Sequence, residues 1–233
     1  MNYEKEQNAL KESIPIMEQQ FNSEKDKSEG LQHFIDKAKR LTHLTELTPE
    51  ILHEFIEKIV VSTDSSEIAS IAMQYGAEVP FLRPIEISGD FVSSDEVIKH
   101  ALDYYSAKGK EFDEVCKLQP TSPLRNSRHI IEAYNMLFEK KADYVVSVCK
   151  CEHSPVWSAM LDEKCSLDSF IKDEVKSACR QKLPTYYRLN GAIYMGKTEK
   201  FYTNKSFFGK NGYAYIMQPE ESIDIDSLLD FNI

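Results

Sequence analysis

The chain has 233 residues, of which 42% are hydrophobic, and a formal net charge of −10 at pH 7. A chain of this length can bury one sizeable α/β core and a small appendage. The acidic balance argues against a nucleic-acid-binding protein, because affinity for a phosphate backbone depends on clustered Lys and Arg. If such a protein binds an anionic nucleotide, it must use local cations.

The sequence shows no targeting or membrane signal. No apolar run approaches the roughly eighteen residues needed to span a bilayer, and the first residues lack the basic-then-apolar pattern of a signal peptide. The five cysteines form no CxxC pair, which favours reduced thiols. His153 has no metal-ligand partner at helical spacing, so a turn held by Pro155 explains it at least as well as a catalytic role. We expect a cytoplasmic protein.

Residues 1–58 differ in character from the rest of the chain. Leu10, Ile14, Met17 and Phe21 recur at the spacing of one helical stripe in a segment rich in Glu, Lys and Gln. A later helix is predicted to begin at Thr48, with a proline at its first position. The pattern predicts a helical N-terminal extension.

From residue 59 onward, short β-branched runs alternate with helical patterns. Strands are predicted at residues 59–61, 79–82, 113–118 and 144–149, and helices at residues 67–75, 95–107 and 127–140. Alternation of this kind, with apolar runs too uniform for one-sided exposure, favours a mostly parallel sheet covered on both faces.

The stretch KLQPTSPLR, residues 117–125, follows one of these strands. Ligands bind at the carboxyl ends of strands in open α/β sheets, and Pro120 and Pro123 hold the turn rigid. Gln119 and Arg125 would then reach an anion or a sugar. A rigid turn without a ligand is the alternative.

Four motifs occur in order: VVSTDSSEI at 60–68, LQPTSPLR at 118–125, RQKLPTYYRLNGAIY at 180–194 and ESIDID at 221–226. Together they resemble the acylneuraminate cytidylyltransferases, over about residues 59–233. The resemblance implies a Rossmann-like three-layer α/β fold of the nucleotide-diphospho-sugar transferase type. It also implies nucleotidyl transfer from CTP to a nonulosonic, sialic-type acid, giving a CMP-sugar and pyrophosphate.

The resemblance implies a magnesium site at Asp224 and Asp226. In an extended segment, residues two apart point to the same side, so Ile223 and Ile225 can anchor the core while both carboxylates face the site. Hard oxygen ligands suit Mg²⁺. The alternative is that both aspartates are simply solvated near the acidic C-terminus.

The family's remaining site residues map onto this sequence one by one. Asp224, Asp226 and Arg180 match catalytic positions, and Arg83 and Ser94 match positions that contact CTP. The sugar pocket would be lined by Gln119, Arg180, Asn190, Tyr194, Phe207 and Phe208. Adjacent aromatic residues do not point to one side of a regular strand, so core or dimer-interface packing is the alternative for Phe207 and Phe208.

Residues 1–58 resemble the C-terminal tail of large serine recombinases, notably in LTELTPEILHEFIEKIVV, and an ordinary helical extension is the alternative. The predicted domains are 1–58 and 59–233. The cytidylyltransferase family carries a strand and a glycine-rich, basic phosphate loop before its second strand, whereas Gly30 is the only glycine here before Gly76. We therefore expect an N-terminally incomplete domain of impaired activity, or a non-catalytic fusion product. The resemblance also implies a homodimer formed through residues 151–184.

Overall fold

The computed structural model describes residues 56–167, 170–176 and 179–232, with only the backbone of Glu174 and Arg180. Its helices and strands run in the order α1 (Ser66–Gln74), α2 (Ser94–Ser106), β1 (Glu114–Lys117), α3 (Ser127–Glu139), β2 (Tyr144–Lys150), β3 (Tyr187–Lys197), α4 (Thr198–Asn204), β4 (Gly212–Met217) and α5 (Leu228–Phe231). The helices predicted within residues 1–55 lie outside the described residues. Within the described ranges, no helix combines the length and hydropathy needed to cross a membrane.

The predicted helices from residue 66 to residue 139 are confirmed, and polar side chains begin each of them. Ser65, Ser93 and Asn126 accept a hydrogen bond from the backbone N–H three residues later. These contacts satisfy amides that have no partner within the helix. At the end of α1, Gly76 adopts a φ of +86°, as expected of a glycine that terminates a helix.

The strands form a four-stranded mixed sheet of order β1-β3-β2-β4. Only β2 and β4 are parallel, since β3 runs antiparallel to both β1 and β2. The prediction of a mostly parallel sheet is therefore wrong. The prediction missed a strand at the RLNGAIY stretch. This stretch belongs to the 11-residue strand β3, which lies between β1 and β2.

The strand predicted at residues 79–82 is also wrong. Val60 and Glu78 form an isolated parallel bridge, in which Glu78 N–H donates to Ile59 O at 2.8 Å and Val61 N–H donates to Glu78 O at 2.9 Å. Pro80 has no N–H with which to continue the ladder. Residues 59–61 are extended as predicted, but they pair with Glu78 rather than with β1.

The sheet is covered on both faces, as predicted. On one face, Ala133 and Leu137 of α3 pack with Val145 and Ile193. The opposite face holds a second cluster around Leu102 of α2, Tyr144 and Val146 of β2, Tyr194 of β3, and Phe201 and Phe207. Because neighbouring residues of a strand point to opposite faces, β2 and β3 contribute to both clusters. The resulting helix–sheet–helix layering leaves the end of β1 beside the middle of β3.

Candidate functional site

The loop after β1 is fixed to β3 by two side chains of the PTSPLR motif. Ser122 is buried, and its hydroxyl donates to the carbonyl of Asn190 at 3.1 Å. The Arg125 guanidinium donates to the carbonyls of Gln119, at 3.0 Å, and Ala192, at 2.8 Å. Arg125 thus holds the loop in place rather than facing a ligand, contrary to the expectation that it would reach an anion.

Gly191 lies beneath this loop in a conformation that favours glycine, with a φ of +73°. A Cβ atom at this position would lie 2.7 Å from Gln119 Oε1, 3.1 Å from Ser122 Oγ and 3.2 Å from Asp224 Oδ2. Three polar side chains, two from the LQPTSPLR motif and one from the ESIDID motif, therefore converge on one point of the β3 backbone. The absence of a side chain at Gly191 is what allows this convergence.

Asn190 supports the same point from inside the protein. Its side chain is fully buried, with Oδ1 accepting from Ser147 Oγ at 2.6 Å and Nδ2 donating to Ser222 Oγ at 2.9 Å. Nδ2 also lies 3.3 Å from the sulfur of Met217. Because both ends of the amide have protein partners, Asn190 joins β2, β3 and the C-terminal segment.

The C-terminal ESIDID segment is attached to the domain at two places. The Glu221 carboxylate lies 3.1 Å from Nε2 of the buried His129 and 2.9 Å from the Arg128 guanidinium. Burial acts to raise the pKa of Glu221, but His129 and Arg128 outweigh it and lower the pKa. Farther along, Ile225 N–H donates to Thr121 O at 2.8 Å. The segment is thereby positioned across the QPTSP loop.

The two aspartates of this segment differ in environment. Asp224 points one carboxylate oxygen toward Gly191, while its buried Oδ1 has no hydrogen-bond partner among the described residues. Asp226 is exposed, and its backbone N–H donates to the Asp230 carboxylate at 3.2 Å. A buried carboxylate oxygen without a partner is costly. A carboxylate with a free buried oxygen, whose other oxygen converges with Gln119 Oε1 on Gly191, fits a hard cation such as Mg²⁺, which keeps waters and takes one or two carboxylates together with substrate phosphates.

Within the described ranges, no group of three His, Cys, Asp or Glu residues could by itself hold a metal ion. Any Mg²⁺ at Asp224 would therefore complete its coordination with water and substrate oxygens. This is the usual arrangement for Mg²⁺ bound together with nucleotide phosphates.

Lys117, the last residue of β1, is a cation near the candidate site that was not among the predicted site residues. It is the register partner of Tyr194 on β3, and its Nζ lies 3.8 Å from the centroid of the Tyr194 ring. Nζ also donates to Ser94 Oγ at 2.9 Å. Burial raises the pKa of Tyr194, and the nearby carboxylates of Asp224 and Asp95 raise it further, so its phenol stays protonated at neutral pH.

The aromatic residues beside Tyr194 have different exposures. Phe207 is buried at 1% and belongs to the second core cluster, whereas Phe208 is 53% exposed. Both rings contact Tyr194, with centroid distances of 6.1 Å for Phe207 and 6.3 Å for Phe208. In this arrangement, Phe208 is the one able to present a ring surface to a ligand.

Two predicted site residues remain, Arg83 and Arg180, together with the turn near His153. Arg83 contacts other protein groups, from Nε to Ser88 Oγ at 3.1 Å and from the guanidinium to Asp64, which precedes α1, at 3.4 Å. Arg180 begins a short 3₁₀ turn, and its side chain lies outside the described residues. Near His153, the chain forms a 3₁₀ turn at Pro155–Trp157, which fits the turn alternative.

A family model matches the N-terminal part of the chain. Residues 20–75 match the model of a domain of unknown function, DUF4368, which is recombinase-associated. This match runs to the end of α1 and therefore overlaps the start of the α/β region. The predicted boundary between residues 58 and 59 stays a prediction.

The curated relatives match about three quarters of the chain. An N-acylneuraminate cytidylyltransferase of Escherichia coli is 39% identical over 181 residues, which are 77% of this chain and 42% of that protein. A CMP-N,N'-diacetyllegionaminic acid synthase of Legionella pneumophila is 35% identical over 185 residues, 75% of each chain. A pseudaminic acid cytidylyltransferase of Campylobacter jejuni is 26% identical over 174 residues, again 75% of each chain. This chain thus spans less than half of the E. coli protein.

Proposed function

Because the chain belongs to the acylneuraminate cytidylyltransferase family, we propose that its α/β region binds CTP and a nonulosonic acid and transfers a cytidylyl group between them. The observation that carries this proposal is the convergence of Gln119, Ser122 and Asp224 on Gly191. These side chains supply an acceptor amide, a hydroxyl and a carboxylate. The Asp224 carboxylate acts electrostatically on Tyr194, and Lys117 packs on the Tyr194 ring, so an aromatic ring and a cation adjoin the cluster. A carboxylated, hydroxyl-rich sugar and a nucleotide phosphate require groups of these kinds.

In the proposed reaction, the anomeric hydroxyl of the sugar acid attacks the α-phosphate of CTP. A new P–O bond forms, the bond to pyrophosphate breaks, and the hydroxyl proton leaves to a carboxylate or to water. Gln119 would orient the sugar by hydrogen bonding to its hydroxyls, while Tyr194 and Phe208 would pack against its apolar faces. Orientation of the reactants removes part of the entropic barrier.

We propose that Asp224 holds Mg²⁺, with Asp226 as the second carboxylate. The ion would neutralise charge that develops on the phosphate during transfer. Because Asp226 is exposed, we expect it to contribute less than Asp224 to binding of the ion. Arg180 would pair with the sugar carboxylate, as the family resemblance implies. Arg83 and Ser94 would contact the nucleotide, and Ser94 already lies within hydrogen-bond distance of Lys117.

Turnover by this chain should be slow, because residues 1–58 contain no glycine-rich, basic loop that could hold a triphosphate. Each charge-assisted hydrogen bond that is missing costs about 1.5–3 kcal/mol. Several such losses together would lower affinity or rate by orders of magnitude. Arg125 does not compensate, since its guanidinium donates to two backbone carbonyls.

The DUF4368 match favours a second candidate function. In this alternative, the chain is a non-catalytic fusion product in which a recombinase-derived segment is joined to a cytidylyltransferase-like domain. Such a protein would retain the fold and a sugar-acid pocket without turning over CTP.

A turnover assay separates the two candidates. The purified chain would be incubated with CTP, Mg²⁺ and a panel of sialic, legionaminic and pseudaminic acids, with chromatographic detection of CMP-sugar. We expect slow product formation that is lost in D224N and retained in E139Q, which changes an exposed carboxylate at the end of α3. A version of the chain carrying a family-type phosphate loop should be much faster.

Each outcome of this assay bears on one of the proposals. Product formation that is equal in the wild type and D224N would contradict the proposed site. Family-like rates from the unaltered chain would contradict the expected impairment. Sugar-acid binding without product, in both the unaltered and the loop-bearing versions, would favour the non-catalytic alternative.

A further inference from the structure

Lys117 is a mostly enclosed cation at the edge of the candidate site. Its side chain is only 14% exposed. Nζ lies 3.8 Å from the centroid of the Tyr194 ring and 5.8 Å from that of Phe207, so aromatic surface covers much of the ammonium. Burial lowers the pKa of Lys117, and the carboxylate of Asp95 acts against this effect.

The hydrogen-bonding capacity of this ammonium is incompletely used. An ammonium group carries three N–H donors. Among the described residues, Ser94 Oγ at 2.9 Å is its hydrogen-bond acceptor, and the Asp95 carboxylate lies at 3.9 Å, beyond hydrogen-bond range. Aromatic faces attract a cation but do not accept its N–H groups as oxygen does. A desolvated charge with free donors is costly unless an anionic oxygen joins it.

The position of Lys117 tells which molecules could supply that oxygen. On one side it contacts Ser94, a proposed nucleotide-binding residue, and on the other it contacts Tyr194, a proposed sugar-binding residue. Two arginines predicted or considered for ligand binding are engaged by the protein, Arg83 with Asp64 and Ser88 and Arg125 with carbonyls. Lys117 therefore contacts one residue proposed to bind the nucleotide and one proposed to bind the sugar, and it retains N–H donors for a ligand.

We propose that the ammonium of Lys117 binds an anionic oxygen of the substrates, either a phosphate oxygen of CTP or the carboxylate of the sugar acid. This inference rests on the proposed function only for the identity of these two molecules. In an acidic chain whose first 58 residues lack a basic phosphate loop, it assigns the charge needed at this site to the end of β1.

Equilibrium binding measured by calorimetry tests the inference without requiring turnover. The ligands are CTP, pyrophosphate, cytidine and N-acetylneuraminic acid, and the variants are K117M, K117Q and K117R. Lys99 offers a matched control because it too lies near a tyrosine ring, 5.9 Å from the Tyr202 centroid, and pairs with Asp103 outside the site. K99M should bind like the wild type.

We expect K117M and K117Q to weaken binding of the anion that Lys117 contacts by about tenfold or more, the effect of losing one charge-assisted hydrogen bond. K117R, which keeps the charge, should retain more affinity than either. Cytidine binding should not change. Weakened CTP and pyrophosphate binding identifies a phosphate contact, whereas weakened N-acetylneuraminic acid binding identifies a carboxylate contact.

A second measurement uses the wild-type chain and so does not depend on folding of the variants. Lysine acetylation by acetic anhydride would be followed by mass spectrometry with and without each anion. The bound anion should slow acetylation of Lys117 several-fold and leave Lys99 unchanged.

Two results would overturn the inference. One is wild-type affinity of K117M and K117Q for all three anions together with unprotected Lys117, and the other is absence of binding of every anion by the wild-type chain. Anion binding that depends on Lys117 but gives no product would instead leave the inference standing and reject the proposed catalytic function. The first of these two results, combined with unaffected product formation in K117M, would reject the inference and leave the proposed catalytic function standing.

Discussion

Gly191 shows how much of the site depends on one residue without a side chain. Its φ of +73° disfavours any residue with a Cβ atom, and that atom would lie 2.7 Å from Gln119 Oε1. A change at this position therefore acts on the backbone and on the Gln119 amide at once.

We predict that G191A lowers the free energy of unfolding by about 1–3 kcal/mol, the range for a non-glycine residue held in a sparsely populated conformation. It should also abolish sugar-acid binding, because Gln119 and Asp224 would be pushed apart. Urea unfolding and calorimetry would measure the two effects. G89A is the matched control, since a Cβ at Gly89 meets no atom within 4 Å. An equal effect of both variants would contradict the assigned role.

Asn190 contributes to the stability of the fold through hydrogen bonds within the protein. We predict that N190A destabilises the fold by about 0.5–1.5 kcal/mol for each hydrogen bond that it removes, those with Ser147 and Ser222 among them. Thermal unfolding of N190A beside N232A, which changes an exposed asparagine, would measure it. Unchanged stability would show that the buried network is dispensable.

At the scale of single elements, α2 connects the core to the site through its first turn. The Ser93 side chain accepts from Glu96 N–H at 3.2 Å, and the next residue, Ser94, accepts from Lys117. The cap therefore sets both the start of the helix and the position of a predicted ligand-binding hydroxyl.

We predict that S93A costs about 1 kcal/mol of stability, whereas S93G costs only a few tenths, because glycine is itself tolerated at this capping position. Chemical denaturation of the two variants would give the difference. Equal losses would mean that the Ser93 hydroxyl does not cap α2 in solution.

The strand pair β2 and β3 carries a pH-dependent contact at one end. Lys197 Nζ donates to Asp143 at 2.8 Å, and this hydrogen bond lowers the pKa of the Asp143 carboxyl. Since the folded-state pKa lies below the unfolded one, the contact stabilises the protein above the unfolded pKa. That contribution is lost as the pH falls through the lower folded-state pKa.

We predict that D143N destabilises the protein by about 0.2–1 kcal/mol at neutral pH, as for a solvent-accessible ion pair. The difference from the wild type should shrink below about pH 4, where an unfolded aspartate begins to protonate. Unfolding curves at several pH values would check this. A difference that persisted unchanged at pH 2 would exclude the carboxylate as its cause.

At the scale of the whole molecule, α1 packs loosely for a helix at the edge of a core. Only Ala69 of this helix is buried, while Ile68, Ile71 and Tyr75 are 53%, 48% and 88% exposed. Among the described residues, β1 is also an edge strand of the sheet. Exposed apolar surface and open strand edges favour association with another chain.

We predict that the protein is a homodimer through residues 151–184, between β2 and β3, of which residues 151–167, 170–176 and 179–184 are described. Sedimentation velocity at tens of micromolar should show a dimer, the concentration range suited to a micromolar interface. A single monomer species at these concentrations would contradict the prediction.

Much of this fold follows from local sequence alone. The helices α1, α2 and α3 and the strands β1 and β2 were predictable because their apolar periodicity and their polar caps lie within a few residues of one another. The family was equally readable, since its four motifs are contiguous stretches of the chain.

Tertiary structure decided what depends on residues distant in sequence. The antiparallel direction of β3 reflects pairing with both β1 and β2, which no local pattern specifies. The convergence of Gln119 and Asp224 on Gly191, and the contact of Lys117 with Ser94, join segments up to about a hundred residues apart. Only Gly191, inside an otherwise mostly apolar stretch, gave a local indication of the convergence at this position, because a glycine inside a strand often marks a close approach of other groups to the backbone.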